Sequence, residues 1–319
     1  MRIVFLGSPP FATPVLRCLL ESKQHEITGL VTPPDRPRGR GRSIQESPLV
    51  SLAKAQGVPV LQPKTTKDLE FEAALQALRP DVLCVASYGE ILRQNILDLA
   101  PHGALNVHGS LLPRWRGASP VQAAILAGDA ETGISIQRMV LQLDAGDIVH
   151  EVRTAIEADE NAGELAERLA HLGGPALLEA LEMVQQGRAQ YTPQAIDHVT
   201  VCRKVQKQEG SLDFQRDADD LLRQIRAMNP WPGAFCHLPN HKRLVVLKAR
   251  LGESAEPFDA PNAPGTLLDS TRFLVATNTH PLELEQVKPE GKGAMAGVDF
   301  LRGAHFEAGT LLFDSPSVH

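Results

Sequence analysis

The chain has 319 residues, a length that fits two domains better than one. Hydrophobic residues make up 43% of it and charged residues 22%, which is typical of a soluble globular protein able to bury a sizeable core. The formal net charge of −6 argues against nonspecific nucleic-acid binding by the whole molecule, although a local basic patch would still attract phosphates.

The first half of the chain alternates short apolar runs with stretches of helical periodicity. The apolar runs predict strands at 3–6, 27–31, 58–60, 81–86 and 103–108. The periodic stretches predict helices at about 11–22, 47–57 and 67–78. This alternation predicts an α/β fold with a doubly wound, mostly parallel, Rossmann-like sheet.

Further along, strands at 134–136 and 148–150 are predicted to pair around a turn at 144–146. A long amphipathic helix over about 162–187 is then expected to end the first domain.

From about residue 200 the composition changes. A helix is predicted at 218–228, stopped by the sequence Asn-Pro-Trp-Pro-Gly. Short strands, such as 244–247 and 273–276, then alternate with Pro and Gly turns, which predicts a small, OB-like β-barrel. We therefore expect a first domain at 1–189, a linker at 190–206 and a second domain at 207–319.

The cysteines indicate a reducing compartment. The four of them are widely spaced and form no Cys-x-x-Cys pair, so neither a zinc site nor a disulfide framework is indicated. The apolar run in the first residues is too short and is interrupted too early to be a signal peptide. No apolar run reaches membrane-spanning length. We expect a cytoplasmic protein.

The most informative stretch is 106–120. In an extended segment alternate residues point to one side, so Asn106, His108 and Ser110 would converge at the carboxyl end of a strand. Open α/β sheets bind their ligands at that edge. Asp144, within Leu-Asp-Ala-Gly-Asp, is the distant carboxylate that would complete the set. A buried His beside a hydrogen-bonded Asn is commonly structural, but the polar loops at 110–113 and 142–147 favour an active site.

This set of residues suits acyl transfer by direct attack. An amide NH₂ and a protonated imidazole can donate to a developing oxyanion, and a carboxylate beside the imidazole fixes its orientation. A Gly-x-Ser-x-Gly elbow is absent, so a covalent acyl-enzyme is not indicated. The turn at 7–10 lacks the later glycines of a dinucleotide fingerprint, which disfavours a nicotinamide cofactor.

Residues 35–42 place four arginines among Pro and Gly: Arg36, Arg38, Arg40 and Arg42. Such a segment is predicted to be a mobile loop that forms neither helix nor strand. Because it follows the second strand, it should rim the same cleft as His108 and suit an anionic, polymeric substrate. A solvated charged loop is the alternative interpretation. Arg114 and Arg116 flank Trp115 and are candidates for phosphate contacts or stacking. The alternative interpretation is that they are ordinary surface arginines around a packed Trp.

The stretch Asn-Val-His-Gly-Ser-Leu-Leu-Pro-Arg-Trp-Arg-Gly-Ala-Ser-Pro-Val-Gln, from residue 106, resembles the signature of the folate-dependent formyltransferases. The similarity is greatest to those that act on methionyl-tRNA, and it extends through 34–41, 128–133, 143–147 and 226–234. The resemblance implies transfer of the formyl group of 10-formyltetrahydrofolate to the α-amino group of methionine on initiator tRNA. One departure is Pro10, where many relatives carry Asp.

The resemblance also implies roles for particular residues. The implied catalytic residues are Asn106, His108 and Asp144. The residues implied to line the folate pocket are Ser110, Leu111, Leu112 and Pro113. The arginine loop, with Arg40 foremost, would engage the acceptor end of the tRNA, and the second domain would grip the tRNA elsewhere. No metal is required, and we expect a monomer.

Three alternatives remain open from the sequence. One is a formyltransferase with the same catalytic domain that acts on a nucleotide sugar or a ribonucleotide amine. Another is a noncatalytic RNA-binding protein that retains a formyltransferase core. A nicotinamide oxidoreductase ranks last. The arginine loop and the Trp-Pro-Gly motif favour tRNA, and the intact Asn, His and Asp set favours an enzyme.

Overall fold

The computed structural model describes residues 1–35, 37–38, 43–253 and 263–313, and the chain divides into two compact units. Unit 1 comprises Met1–Pro120, Glu131–Ala155 and Ala166–Arg203. Unit 2 comprises Val121–Ala130, Ile156–Leu165 and Lys204–His319.

The elements alternate strand and helix through the first part of the chain. Up to residue 127 they are β1 (Arg2–Gly7), α1 (Ala12–Ser22), β2 (Glu26–Val31), β3 (Pro37–Arg38), β4 (Ser43–Ile44), α2 (Pro48–Ala55), β5 (Val60–Leu61), α3 (Leu69–Ala77), β6 (Val82–Ala86), α4 (Gln94–Leu97), β7 (Ala104–His108), β8 (Arg116–Gly117) and α5 (Pro120–Ala127). They continue with β9 (Glu131–Arg138), β10 (Ile148–Ala155), α6 (Ala162–Gln185), a 3₁₀ turn (Ile196–His198) and β11 (Val201–Cys202).

Unit 1 is built on a seven-stranded sheet in the order β10-β9-β7-β6-β1-β2-β5. The strands from β5 to β7 in that order are parallel, whereas β9 is antiparallel to both of its neighbours. Strands β1 and β6 are buried almost throughout, as expected for a parallel sheet that is covered on both faces. The predicted α/β fold with a mostly parallel sheet is confirmed.

One face of this sheet packs against α3 and α4. Val4, Leu6, Leu83 and Val85 form a core cluster with Phe71 and other buried residues of α3 and α4. Because β6 and β7 are fixed in this way and pair along their length, the carboxyl end of β7 has a rigid base.

The arginine-rich segment differs from its prediction. We expected residues 35–42 to form neither helix nor strand, but Pro37–Arg38 pairs antiparallel with Ser43–Ile44. The prediction was wrong because proline, which lacks an N–H, is tolerated in a short strand that has only one neighbour. Arg38 therefore lies in β3, whereas Arg36, Arg40 and Arg42 lie outside the described residues.

Unit 2 is dominated by an antiparallel sheet. Its elements after residue 203 are a 3₁₀ turn (Lys207–Gly210), α7 (Ala218–Met228), β12 (Ala234–His237), β13 (Arg243–Leu251), β14 (Leu267–Asp269), β15 (Leu274–Val275), β16 (Leu282–Pro289), β17 (Met295–Ala296) and α8 (Gly297–Ala304). The strands run β12-β13-β16-β15-β14, with β17 paired to β16. The predicted helix at 218–228 and the β-rich second domain are confirmed, and closure into an OB-like barrel stays a prediction.

Among the described residues no helix combines the length and apolarity needed to cross a membrane.

Candidate active site at the carboxyl end of β7

Strand β7 brings two of the predicted polar residues to one face. Asn106 and His108 alternate along the strand, and across the β7–β9 pair they lie opposite Gln137 and Ser135. His108 is buried, with 5% of its surface exposed, and Asn106 is half-buried. The Asn106 amide makes no hydrogen bond to any described residue, so it is available to a ligand.

The His108 ring lies between two oxygen atoms. Its Nε2 is 2.9 Å from the Trp115 carbonyl oxygen, which can only accept, so Nε2 carries a proton in this contact. Its Nδ1 is 3.7 Å from Asp144 Oδ2, a separation of ion-pair type and longer than a hydrogen bond. A proton on Nε2 therefore matches the Trp115 carbonyl, and the Asp144 carboxylate faces the other ring nitrogen.

Asp144 reaches this site from the loop after β9. It has a φ of +48°, a left-handed conformation that Asp tolerates better than most residues. Gln137 Nε2 donates to Asp144 Oδ1 at 2.9 Å, and the Gly117 N–H donates to Oδ2 at 2.8 Å. Donors from β9 and β8 therefore fix the carboxylate beside the imidazole.

The Ser110–Pro113 segment forms a turn fastened to β9. Ser110 Oγ donates to the Arg114 carbonyl at 2.6 Å, and the Leu112 N–H donates to Ser135 Oγ at 3.0 Å. The side chains of Ser110 and Leu112 are buried, whereas Leu111 and Pro113 are partly exposed. The folate contact predicted for this segment would thus fall mainly to Leu111 and Pro113.

The two flanking arginines have different surroundings. The Arg114 guanidinium stacks on the Trp115 ring, 4.3 Å from its centroid, and the residue is exposed. Arg116 is turned to the interior, where its Nε donates to Gln194 Oε1 at 2.9 Å. Arg116 is therefore occupied in holding the site together, which the sequence did not reveal.

Residues 190–203, which we predicted as most of a linker, contribute directly to this site within unit 1. Strand β11 pairs in parallel with β8, and Thr200 Oγ1 accepts from the Trp115 N–H at 2.8 Å. Gly117 has a φ of +119°, and a Cβ there would lie 2.1 Å from the Cys202 carbonyl oxygen, so only glycine allows this approach. Burial, and to a lesser extent the nearby Asp144 carboxylate, raises the pKa of the Cys202 thiol.

Two glutamines of the site were missed by our sequence reasoning. Gln137 did leave a signal, because Ile134-Ser135-Ile136-Gln137 alternates apolar and polar residues in a strand and so turns Ser135 and Gln137 to one face. Gln194 left none, since it stands in an irregular segment with no periodicity. Among the described residues no three His, Cys, Asp or Glu side chains are grouped as a metal site would require.

Comparison with known proteins shows the family. Residues 1–181 match the family model for formyl transferase, and residues 204–305 match the model for the formyl transferase C-terminal domain. A methionyl-tRNA formyltransferase of Symbiobacterium thermophilum is 40% identical over 310 residues, which cover 97% of this chain and 94% of that protein. The enzyme of that name from Marinobacter nauticus is 42% identical over 305 residues, covering 95% and 96%.

The chain belongs to the methionyl-tRNA formyltransferase family. The resemblance stated from the sequence motifs is thereby confirmed, and the chain is a formyltransferase. A solved methionyl-tRNA formyltransferase from Clostridium thermocellum superposes with a TM-score of 0.55 at 15% identity, covering 79% of this chain and 94% of that one. At that identity the likeness supports the fold alone.

Proposed function

We propose that this chain transfers the formyl group of 10-formyltetrahydrofolate to the α-amino group of methionyl-initiator tRNA. The product is N-formylmethionyl-tRNA for translation initiation. The observation that carries the proposal is the convergence of Asn106, His108 and Asp144 at the carboxyl end of β7, in a chain of the methionyl-tRNA formyltransferase family.

The reaction needs no covalent intermediate on the protein. The α-amino group of an aminoacyl ester has a pKa of about 8 or lower, so much of it is uncharged near neutrality and can attack the formyl carbon directly. The folate co-substrate supplies a formyl group on a nitrogen that can leave with a proton. The protein must therefore stabilise negative charge on the formyl oxygen and guide one proton from the attacking amine to the leaving nitrogen.

The site residues divide this work among them. Asn106 offers an unused amide N–H to the formyl oxygen. His108 supplies a second donor when its Nε2 exchanges the Trp115 carbonyl for that oxygen. Asp144 faces the other ring nitrogen, holds the imidazolium in place and assists the proton transfer. N–H donors that the fold has already placed beside the formyl oxygen lose little energy to reorganisation during the reaction.

We further propose how the substrates are held. Leu111 and Pro113, with Ser110 and Leu112 shaping the turn behind them, would line the folate pocket. Arg36, Arg38, Arg40 and Arg42 would contact phosphates at the acceptor end of the tRNA, and unit 2 would contact the tRNA elsewhere. We infer that the chain acts as a monomer in the cytoplasm, where tRNA is charged with methionine.

The decisive experiment measures transfer of labelled formyl from 10-formyltetrahydrofolate to methionyl-initiator tRNA and, in parallel, to methionyl-elongator tRNA. We expect rapid labelling of the initiator species and almost none of the elongator species. Labelling of neither would contradict the proposed substrate. In that case a panel of amino sugar nucleotides would be assayed next with the same labelled donor.

The arginine segment yields a separate prediction. An Arg40→Ala variant should raise KM for methionyl-tRNA about tenfold and leave the folate dissociation constant unchanged, since a phosphate contact is lost. The slope of log KM against log salt concentration should fall by about 1. Arg153→Ala is the matched control, because Arg153 pairs with Glu131 at the surface of β9 and β10. A loss of folate affinity with normal tRNA kinetics would refute this assignment.

A further inference from the structure

Gln194 joins three parts of the active site. Its Nε2 donates to two main-chain carbonyl oxygens of the loop after β9, those of Asp144 at 2.9 Å and Gly146 at 2.7 Å. Its Oε1 accepts from Arg116 Nε at 2.9 Å. The side chain is buried, with 9% of the residue exposed, so these hydrogen bonds are shielded from water and hold their geometry.

The loop that carries Asp144 depends on such support. Asp144 has a left-handed backbone, and it stands in a turn between β9 and β10 whose carbonyl groups have no strand partner at residues 144 and 146. Gln194 Nε2 satisfies both carbonyls with one amide group. Gln137 and the Gly117 N–H fix the carboxylate, so Gln194 alone among these three fixes the main chain beneath it.

We propose that Gln194 is a positioning residue for formyl transfer, acting through Asp144. The proposal rests on the proposed catalytic role of Asp144. Gln194 itself is not expected to touch either substrate. Its amide sets the position of the Asp144 main chain, and through it the distance between the carboxylate and His108. A displacement of about 1 Å in a reacting group can cost about 100-fold in rate, so the effect should appear in kcat.

The substitution Gln194→Glu tests this with little change in size. It keeps an oxygen acceptor for Arg116 but replaces the amide donor with an oxygen that faces two main-chain carbonyls and Gln137 Oε1. We expect kcat to fall by about 10- to 100-fold, with KM for both substrates changed by less than about threefold. Gln186→Glu is the matched control, since Gln186 follows α6 on the surface, where its side chain donates to Glu182 and accepts from Arg188. It should retain wild-type kinetics.

A double-mutant cycle with Asp144→Asn shows whether Gln194 acts through Asp144. In the Asp144→Asn background, Gln194→Glu should cost less than about threefold in kcat, because the group that it positions has lost its charge. A full penalty in that background would overturn the proposal, and so would a wild-type kcat in the single variant. Wild-type kcat in Asp144→Asn itself would instead refute the proposed function of Asp144, together with everything that rests on it.

A second variant separates positioning from folding. Gln194→Met has nearly the same length and adds no charge, but it has no donor. It should show the same loss of kcat as Gln194→Glu, with the melting temperature lowered by less than about 4 °C. If both variants instead melt more than about 10 °C below the wild type, Gln194 holds the fold and the positioning role is overturned.

Discussion

In a His108→Ala variant we expect kcat for formyl transfer to fall by about 10²–10³-fold, the usual effect of removing one oxyanion donor. The methionyl-tRNA dissociation constant should change by less than about threefold, because His108 is buried at the end of β7 and contacts the protein on both ring nitrogens. The measurement is single-turnover transfer of labelled formyl, which separates the chemical step from binding and product release.

The fold should survive this substitution. Asp144 keeps its hydrogen bonds from Gln137 and Gly117 when the imidazole is removed, so its carboxylate is not left unsatisfied. His102→Ala is the matched control, since His102 is exposed just before β7 and contacts Asp81 only through its main chain. A His108→Ala rate close to that of the wild type would mean that another group stabilises the formyl oxygen.

The second large effect is expected from Gly146→Ala. A Cβ on Gly146 would lie 1.6 Å from the Arg138 carbonyl oxygen, so the loop has to move away from β9 to accommodate it. That movement would carry Asp144 with it and break the Gly146–Gln194 hydrogen bond. We expect kcat to fall by about 100-fold or more, as for other displacements of a reacting group by about 1 Å.

The control for this variant is another glycine-to-alanine change. Gly303 lies in α8, where an added Cβ meets no heavy atom within 4 Å, so Gly303→Ala should leave kcat unchanged. Wild-type activity in Gly146→Ala would show that the position of the Asp144 loop does not limit the reaction. Transfer rates and thermal melting of both variants, measured side by side, make this comparison.

The sequence predicted those parts of the fold and the site that local patterns encode. Continuous apolar runs marked the buried parallel strands, because such strands have no polar face. Alternation in an extended segment placed Asn106 and His108 on one side of β7, and the structure has them there. The approach of Asp144 to His108 was inferred from chemistry and resemblance, since no local pattern relates residues that are far apart in sequence.

What the sequence missed depends on contacts over long separations. Gln194 lies 50 residues from the Asp144 carbonyl that it contacts, and glutamine on its own indicates neither a strand nor a site. The pairing of β8 with β11 was equally hidden, because two-residue strands have no measurable periodicity. The pairing of Pro37–Arg38 with Ser43–Ile44 was excluded by a composition rule that a two-residue strand does not have to obey.

The participation of residues 190–203 in unit 1 has a consequence for how this catalytic module can be inherited or exchanged. A recombination event that joined the chain to a different second domain at residue 189 would discard Gln194, Thr200 and Cys202. The transplanted module would keep its seven-stranded sheet with Asn106, His108 and Asp144, but it would lose β11, which pairs with β8 next to Trp115. We therefore expect functional chimaeras to change to the foreign domain after Arg203, where the last segment of unit 1 ends.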